Sequence, residues 1–271
     1  MAHGTGDRMR DRVVVVTGAG QGIGLAAAEA FASEGASVVV AELSAESGGD
    51  AVERIKDAGG EAVLVPTDVA DLESVQALMA AVDGQFGRLD VLHNNAGIHE
   101  TKLTPVARSF EIDEADWQRV MDINLKGTWM CSKHAVPLME KAGGGAIVNA
   151  ASIGGMTGYP MGAAYGPSKA GIIQLTRVMA LELAEKNIRV NSYSPGNTDT
   201  PMVSEYYSSA PEDQREIVQK QLVGTHLIPR LGDTAEIAKL VLFLGSDDSS
   251  FMTGTNIVID GGTLAWRGIN D

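Results

Sequence analysis

The sequence predicts an α/β fold, a doubly wound parallel sheet with helices on both faces. Three observations predict it. Short β-branched runs alternate with longer segments of helical period along the whole chain. The first run turns through a cluster of glycines into the first helix. At 271 residues and 44% hydrophobic content, the chain can fill one large core, so residues 1–271 are expected to form one domain.

The candidate strands, in order, are residues 13–17, 37–42, 61–66, 89–93, 146–150, 188–193 and 256–260. Between the first two, Ile23, Ala26, Ala27, Ala30 and Phe31 recur at helical spacing, and Gly35 stops that helix, completing a βαβ unit. Gly59 and Gly60 end the next helix, and Asp71 precedes a third that runs to about Phe86. Helices are expected over about 114–141 and 165–185. Two stretches interrupt the alternation, His99 to Phe110 and Pro201 to Pro229. Both follow strand ends, where open parallel sheets bind ligands, and residues 199–230 are expected to cover a substrate. Residues 1–11 and 265–271 read as tails, with Trp266 costly to expose.

A formal net charge of -14, from 21 Lys and Arg against 35 Asp and Glu, repels nucleic-acid phosphates and anionic headgroups, so neither is an expected partner. The single cysteine, Cys131, closes no internal disulfide, and five scattered histidines give no zinc spacing. No metal is expected. There is no apolar leader at Met1 to Arg12, and no apolar run near the roughly 20 residues that span a bilayer. The expected compartment is the cytoplasm.

Val13 to Val16 lead into Thr17-Gly-Ala-Gly-Gln-Gly-Ile-Gly24. Glycines at a strand-to-helix turn let backbone approach a pyrophosphate, and the N–H groups and dipole of the helix start favour its charge. The spacing is T-G-x-x-x-G-x-G, through Thr17, Gly18, Gly22 and Gly24, and not G-x-G-x-x-G. Glu42 ends the second strand, where a carboxylate accepts from adenosine ribose hydroxyls and repels the extra phosphate of NADP. Neither Gln21 nor Leu43 offers a cation to that phosphate. The expected cofactor is NAD.

Thr17 to Gly24, Asn94-Asn95-Ala96-Gly97, Ser152, Tyr165-x-x-x-Lys169 and Pro195-Gly196, together and in this order, resemble the classical short-chain dehydrogenase/reductase family, with thirteen positions from Ser152 to Tyr165. The resemblance reaches from the first strand to Asp260-Gly261-Gly262. It implies one Rossmann-type domain with a seven-stranded sheet. It further implies that Gly18, Gln21, Gly22 and Ile23 hold the pyrophosphate side, that Asp68 and Val69 meet the adenine, and that Asn95, Ala96 and Gly97 line the adenosine ribose region. Pro195, Gly196, Thr198 and Thr200 are implied to orient the nicotinamide. Thr198 replaces the family's usual valine or isoleucine. His93 replaces a usual aliphatic residue and is expected to be a satisfied, half-buried histidine.

A free tyrosine has a pKa of about 10, too high for efficient proton exchange near neutrality. If Tyr165 opens a helix, Lys169 lies on the same face and sets an ammonium beside the developing phenolate. Pro167 is tolerated only in a first helical turn, so it places the helix start close to Tyr165. Ser152 follows a strand and is positioned to hydrogen-bond a substrate oxygen. Asn124 matches the family's fourth catalytic position, implied to anchor a water in a proton relay from Lys169. Lys169 is also implied to bind the nicotinamide ribose. The implied reaction is NAD(H)-dependent interconversion of a secondary alcohol and a ketone.

Gly154, Tyr159, Met202 and Tyr206, with Ser152 and Tyr165, are the candidate substrate contacts, joined by Ile153, Gly155, Met156 and Tyr207, and their apolar character favours a hydrophobic or alicyclic alcohol. His99 and Glu100 either project toward the cleft or lie in a solvated loop. Helices 114–141 and 165–185 carry apolar surface enough for a symmetry axis, and family members are often homotetramers. The competing readings are a 3-oxoacyl thioester reductase, a dehydratase or epimerase of the same family, and a non-catalytic NAD-binding sensor or scaffold.

Overall fold

The computed structural model describes residues 6–105, 108–209, 217, 222–223 and 226–265. Seven parallel strands form one sheet: β1 (Val13–Thr17), β2 (Ser37–Glu42), β3 (Glu61–Pro66), β4 (Val91–Asn94), β5 (Gly145–Ala150), β6 (Ile188–Pro195) and β7 (Asn256–Ile259). Their order is β3-β2-β1-β4-β5-β6-β7, so the winding reverses between β1 and β4. The helices are α1 (Gly22–Ser33), α2 (Ala45–Asp57), α3 (Leu72–Phe86), α4 (Glu114–Met121), α5 (Gly127–Ala142), α6 (Tyr165–Leu183), α7 (Pro201–Ser209) and α8 (Thr234–Gly245). This is the expected Rossmann-type fold.

Side chains alternate along each strand, which gives the sheet two cores. Val14, Val16, Val38, Val40 and Val148 pack under α1, α2 and α8, while Val13, Val15, Val39, Leu92 and Ile147 pack under α3, α5 and α6. The β1 and β2 runs are near-continuously apolar because both faces are covered, while β4 and β6 bury the polar His93, Asn94, Asn191, Ser192 and Ser194. Asp71 caps α3 through Ser74 N, as its position predicts. Asp233 and Glu236 form a reciprocal capping box at α8.

Three elements differ from expectation. The strand ends shift by one or two residues, β4 beginning at Val91 and β6 running on to Pro195. The helix expected over 114–141 carries a π turn at Asp122–Lys126 between α4 and α5. The segment read as an N-terminal tail is packed from Gly6 onward. Met9 is buried in the core beside α1, its N–H donates to Glu34 O at 2.9 Å, and Arg8 pairs with the Glu34 carboxylate at 2.6 Å. The single apolar Met9 and the remote Glu34 hold a segment whose own composition reads as solvated. Trp266 lies outside the described residues.

No helix among the described residues is long and apolar enough to cross a membrane, and no described group of three His, Cys, Asp or Glu is placed to hold a metal ion.

Candidate active site

The reversal between β1 and β4 opens a cleft beyond the strand ends, where parallel sheets bind ligands. One wall is the glycine turn. Gly18 has φ +62°, and a Cβ there would stand 2.9 Å from Ala96 Cα. A Cβ on Gly24 would stand 2.1 Å from Gly18 O. The turn is thus held tightly against both the helix and the β4 loop. Gln21, at the N-cap of α1, makes no side-chain cap, and no acidic residue occupies the first turn. The N–H groups of the helix start are therefore left for an anion, and a dinucleotide pyrophosphate fits this cradle.

Glu42 Oε2 accepts from Gly20 N at 2.9 Å, and its Oε1 accepts from Leu43 N at 2.9 Å. The carboxylate ties the end of β2 to the glycine turn and lines the cleft. Asn95 joins the other side, with Nδ2 donating to Thr17 O and Gly18 O at 3.1 and 3.0 Å. Thr17 Oγ1 accepts in return from Asn95 N and Ala96 N.

Gly18, Gln21, Gly22, Ile23, Glu42, Leu43, Asp68, Val69, Asn95, Ala96, Gly97, Tyr165, Lys169, Pro195, Thr200 and Met202 all line this one cleft. Thr67, Lys102, Arg119 and Tyr193 line it too, unsignalled by the glycine and Tyr-x-x-x-Lys patterns. Gly196 and Thr198 instead line a smaller neighbouring cavity with His226, Arg230 and Asp260, and Thr198 Oγ1 donates to Gly196 O at 3.1 Å. Of the candidate substrate contacts, the Tyr206 side chain lies outside the described residues.

Tyr165 is the first residue of α6, as Pro167 requires, and Lys169 follows one turn later with Nζ 5.5 Å from the phenol ring centroid. Lys169 Nζ donates to Ala150 O at 2.8 Å, and burial pulls its pKa down to about 8. Burial pushes the Tyr165 phenol above its ordinary value, a hydrogen bond with Ser152 pulls it down, and the Glu100 carboxylate raises it again. The expectation that Lys169 sets the phenol below its ordinary range is not met by the protein's own groups, because desolvation outweighs the rest. Ser152 sits at the end of β5 and accepts from Gly154 N at 3.0 Å through Oγ. A Cβ on Gly154 would stand 2.7 Å from the Tyr159 ring, so Tyr159 packs directly over this turn.

Asn124 is fully buried at the centre of the π turn. The extra residue of such a turn re-aims a side chain inward. Its Oδ1 accepts from Ile98 N at 2.9 Å, and its Nδ2 donates to Ile98 O at 2.9 Å and Ser168 Oγ at 3.1 Å. Asn124 therefore links the loop after β4 to the first turn of α6.

His93 departs from its sequence reading, and of the two alternatives for His99 and Glu100 the solvated loop is not the one observed. His93 is fully buried, not half-buried: Nε2 lies 3.0 Å from Tyr193 Oη, while Nδ1 is left without a partner. Burial and the Lys169 charge push its pKa down to about 3, so the ring is neutral. Glu100 is not solvated. It is fully buried, and its carboxylate oxygens accept from Ala164 N at 2.9 Å and Tyr165 N at 3.1 Å. The His99 ring stands 4.9 Å from the Tyr165 ring, with Nε2 3.2 Å from Tyr159 Oη.

The model of the enoyl-(acyl carrier protein) reductase family matches residues 18–263. The chain is 43% identical to cis-4-hydroxycyclohexanecarboxylate dehydrogenase of Sinomonas cyclohexanicum over 96% of its length and 99% of that protein's. It is 38% identical to cyclohexanol dehydrogenase of Acinetobacter sp. strain SE19, over 94% and 96%. A solved short-chain dehydrogenase/reductase from Burkholderia xenovorans superposes with a TM-score of 0.91 at 37% identity, over 97% of this chain and all of that one. With these matches over nearly its whole length, the chain belongs to the short-chain dehydrogenase/reductase family of nicotinamide-dependent oxidoreductases.

Proposed function

We propose that the protein is an NAD-dependent dehydrogenase of an alicyclic secondary alcohol. The observation that carries this reading is that Tyr165 and Lys169 line the cleft that the glycine turn opens, with Ser152 hydrogen-bonded to the Tyr165 phenol and Asn124 bonded to Ser168 in the same first turn of α6. The bound dinucleotide supplies the hydride acceptor. Ser152 Oγ holds the substrate oxygen, and Tyr165 Oη, as phenolate, takes the hydroxyl proton while the carbonyl forms. The Lys169 ammonium, its pKa lowered by burial to about 8, stabilises the phenolate, and the proton leaves along the Lys169 side toward Asn124. In the reverse direction Tyr165 returns a proton to the alkoxide. Glu42 supports NAD over NADP: it is a fixed carboxylate at the end of β2, and the cations that line the cleft, Lys102, Arg119 and Lys169, belong to other elements.

The ring alcohol is supported by the two relatives named for hydroxylated cyclohexanes. Exposed Trp129 on α5 and Val178 and Leu181 on α6 support a homotetramer, which light scattering measures. A cytoplasmic setting suits the lone buried Cys131. Fluorescence titrations with NADH and NADPH, paired with nicotinamide reduction on cyclohexanol and on cis-4-hydroxycyclohexanecarboxylate, test the proposal. Tighter NADH binding and turnover of a ring alcohol are expected. Tighter NADPH binding, or turnover confined to 3-oxoacyl thioesters, would overturn it.

A further inference from the structure

Helix α6 begins without a cap of its own. Its N-cap residue is Ala164, which has no side-chain acceptor, and Pro167 has no N–H to satisfy. Gly166 N donates to Gly162 O at 3.2 Å and Ser168 N to Ala164 O at 2.9 Å. The two donors that remain, Ala164 N and Tyr165 N, are both taken by the carboxylate of Glu100, which reaches them from 64 residues away in the chain. A fully buried carboxylate is costly unless it is paired. Among the described residues its only ion-pair contact is His99 Nδ1 at 3.6 Å, and that nitrogen already accepts from Thr101 N at 3.3 Å. Burial lowers the His99 pKa against the pull of Glu100, which leaves the ring neutral, with Nε2 carrying the proton toward Tyr159 Oη. The negative charge therefore rests against the positive end of the helix that carries Tyr165.

We propose that Glu100 is a positioning residue for Tyr165: its two hydrogen bonds fix where α6 starts and set its carboxylate at the end of the helix that carries the phenol. The inference rests on the dehydrogenase reading above. Among the described residues, the groups that act on the phenol or stack against it are Ser152 from the end of β5, His99 and Glu100 from the loop after β4, Lys169 from α6 itself, and Tyr193 from β6, while His93 on β4 feels the Lys169 charge. Glu100 is the one carboxylate in this set. At an effective dielectric of about 20, a unit charge on the order of 10 Å from the phenol oxygen moves its midpoint by about one pH unit.

The test compares Glu100→Gln, which removes the charge and keeps an acceptor, with Glu100→Asp, which keeps the charge and shortens the reach. Phenolate absorbance is titrated in NAD-saturated protein, with Tyr165→Phe subtracted, beside the pH profile of kcat for alcohol oxidation. Glu100→Gln is expected to move both midpoints down by about one pH unit. Glu100→Asp is expected to leave the midpoints in place while kcat falls about tenfold and KM changes little. Equal midpoints in wild type and Glu100→Gln would overturn the proposal, as would failure of both variants to fold, which marks a role in stability alone. The absorbance titration needs no alcohol, so a protein that oxidised none would refute the dehydrogenase reading and leave the Glu100 result standing on its own.

Discussion

Replacing Lys169 with methionine should remove the reaction and yet strengthen the fold. The side chain is 4% exposed, and burial takes its pKa from 10.5 to about 8. That span of roughly 2.5 pH units corresponds to about 3 kcal/mol charged against the native state whenever the ammonium is protonated in both states. Its hydrogen bond to Ala150 O at 2.8 Å offsets about 1.5 kcal/mol of that. Lys169→Met fills the same space without charge, so it should be more stable by about 1–2 kcal/mol at pH 7, on the order of 2–6 °C in Tm for a chain of this size. The sign of the pH dependence follows from the depressed pKa of a cation. Below about pH 8 the native state bears the full penalty. As pH rises from 8 toward 10.5 the native state releases its proton before the unfolded chain does, and wild-type stability climbs relative to the variant. Urea denaturation of both proteins at pH 7, 8.5 and 10 reads this directly. A variant less stable than wild type at pH 7, with a difference that does not change with pH, would refute the reasoning.

Gly24→Ala drives a methyl into Gly18 O and displaces Asn95 from its two backbone acceptors. We expect a loss of about 2–4 kcal/mol in stability and NADH binding weakened at least about tenfold, measured by fluorescence titration. Ser152→Ala removes a hydrogen bond that favours the phenolate and leaves Gly154 N without its acceptor. Its oxidation rate should fall by about 10²–10³, with the alkaline midpoint of the pH profile moved upward, measured on the same alcohol as wild type.

The strands were legible because valine and isoleucine runs covered on both faces leave few other readings, and Pro167 located the start of α6 at Tyr165. The cleft motifs were legible because backbone approach and proton transfer demand particular residues at particular spacings. Glu100 was not. A glutamate in a polar loop next to a turn reads equally as solvated or as facing the cleft, and only the uncapped start of a helix 64 residues later makes its burial favourable. His93 was misjudged for a similar reason, since its partner Tyr193 lies on β6, a hundred residues away. The π turn at Asn124 has no proline or glycine within it to announce it; it is a consequence of what Asn124 bonds to, Ile98 and Ser168, rather than of local propensity. The packing of Gly6 to Asp11 likewise depends on Glu34 across the fold.

The central claim is that the Tyr165 hydroxyl exchanges the proton with the alcohol. Tyr165→Phe keeps the ring, its packing against His99 and the helix start, and removes one oxygen. Reduction of NAD by this variant on cyclohexanol, with NADH affinity measured alongside, isolates that oxygen. NADH affinity within about twofold of wild type and kcat lower by at least about 10³ is the predicted result; a kcat within tenfold of wild type would contradict it.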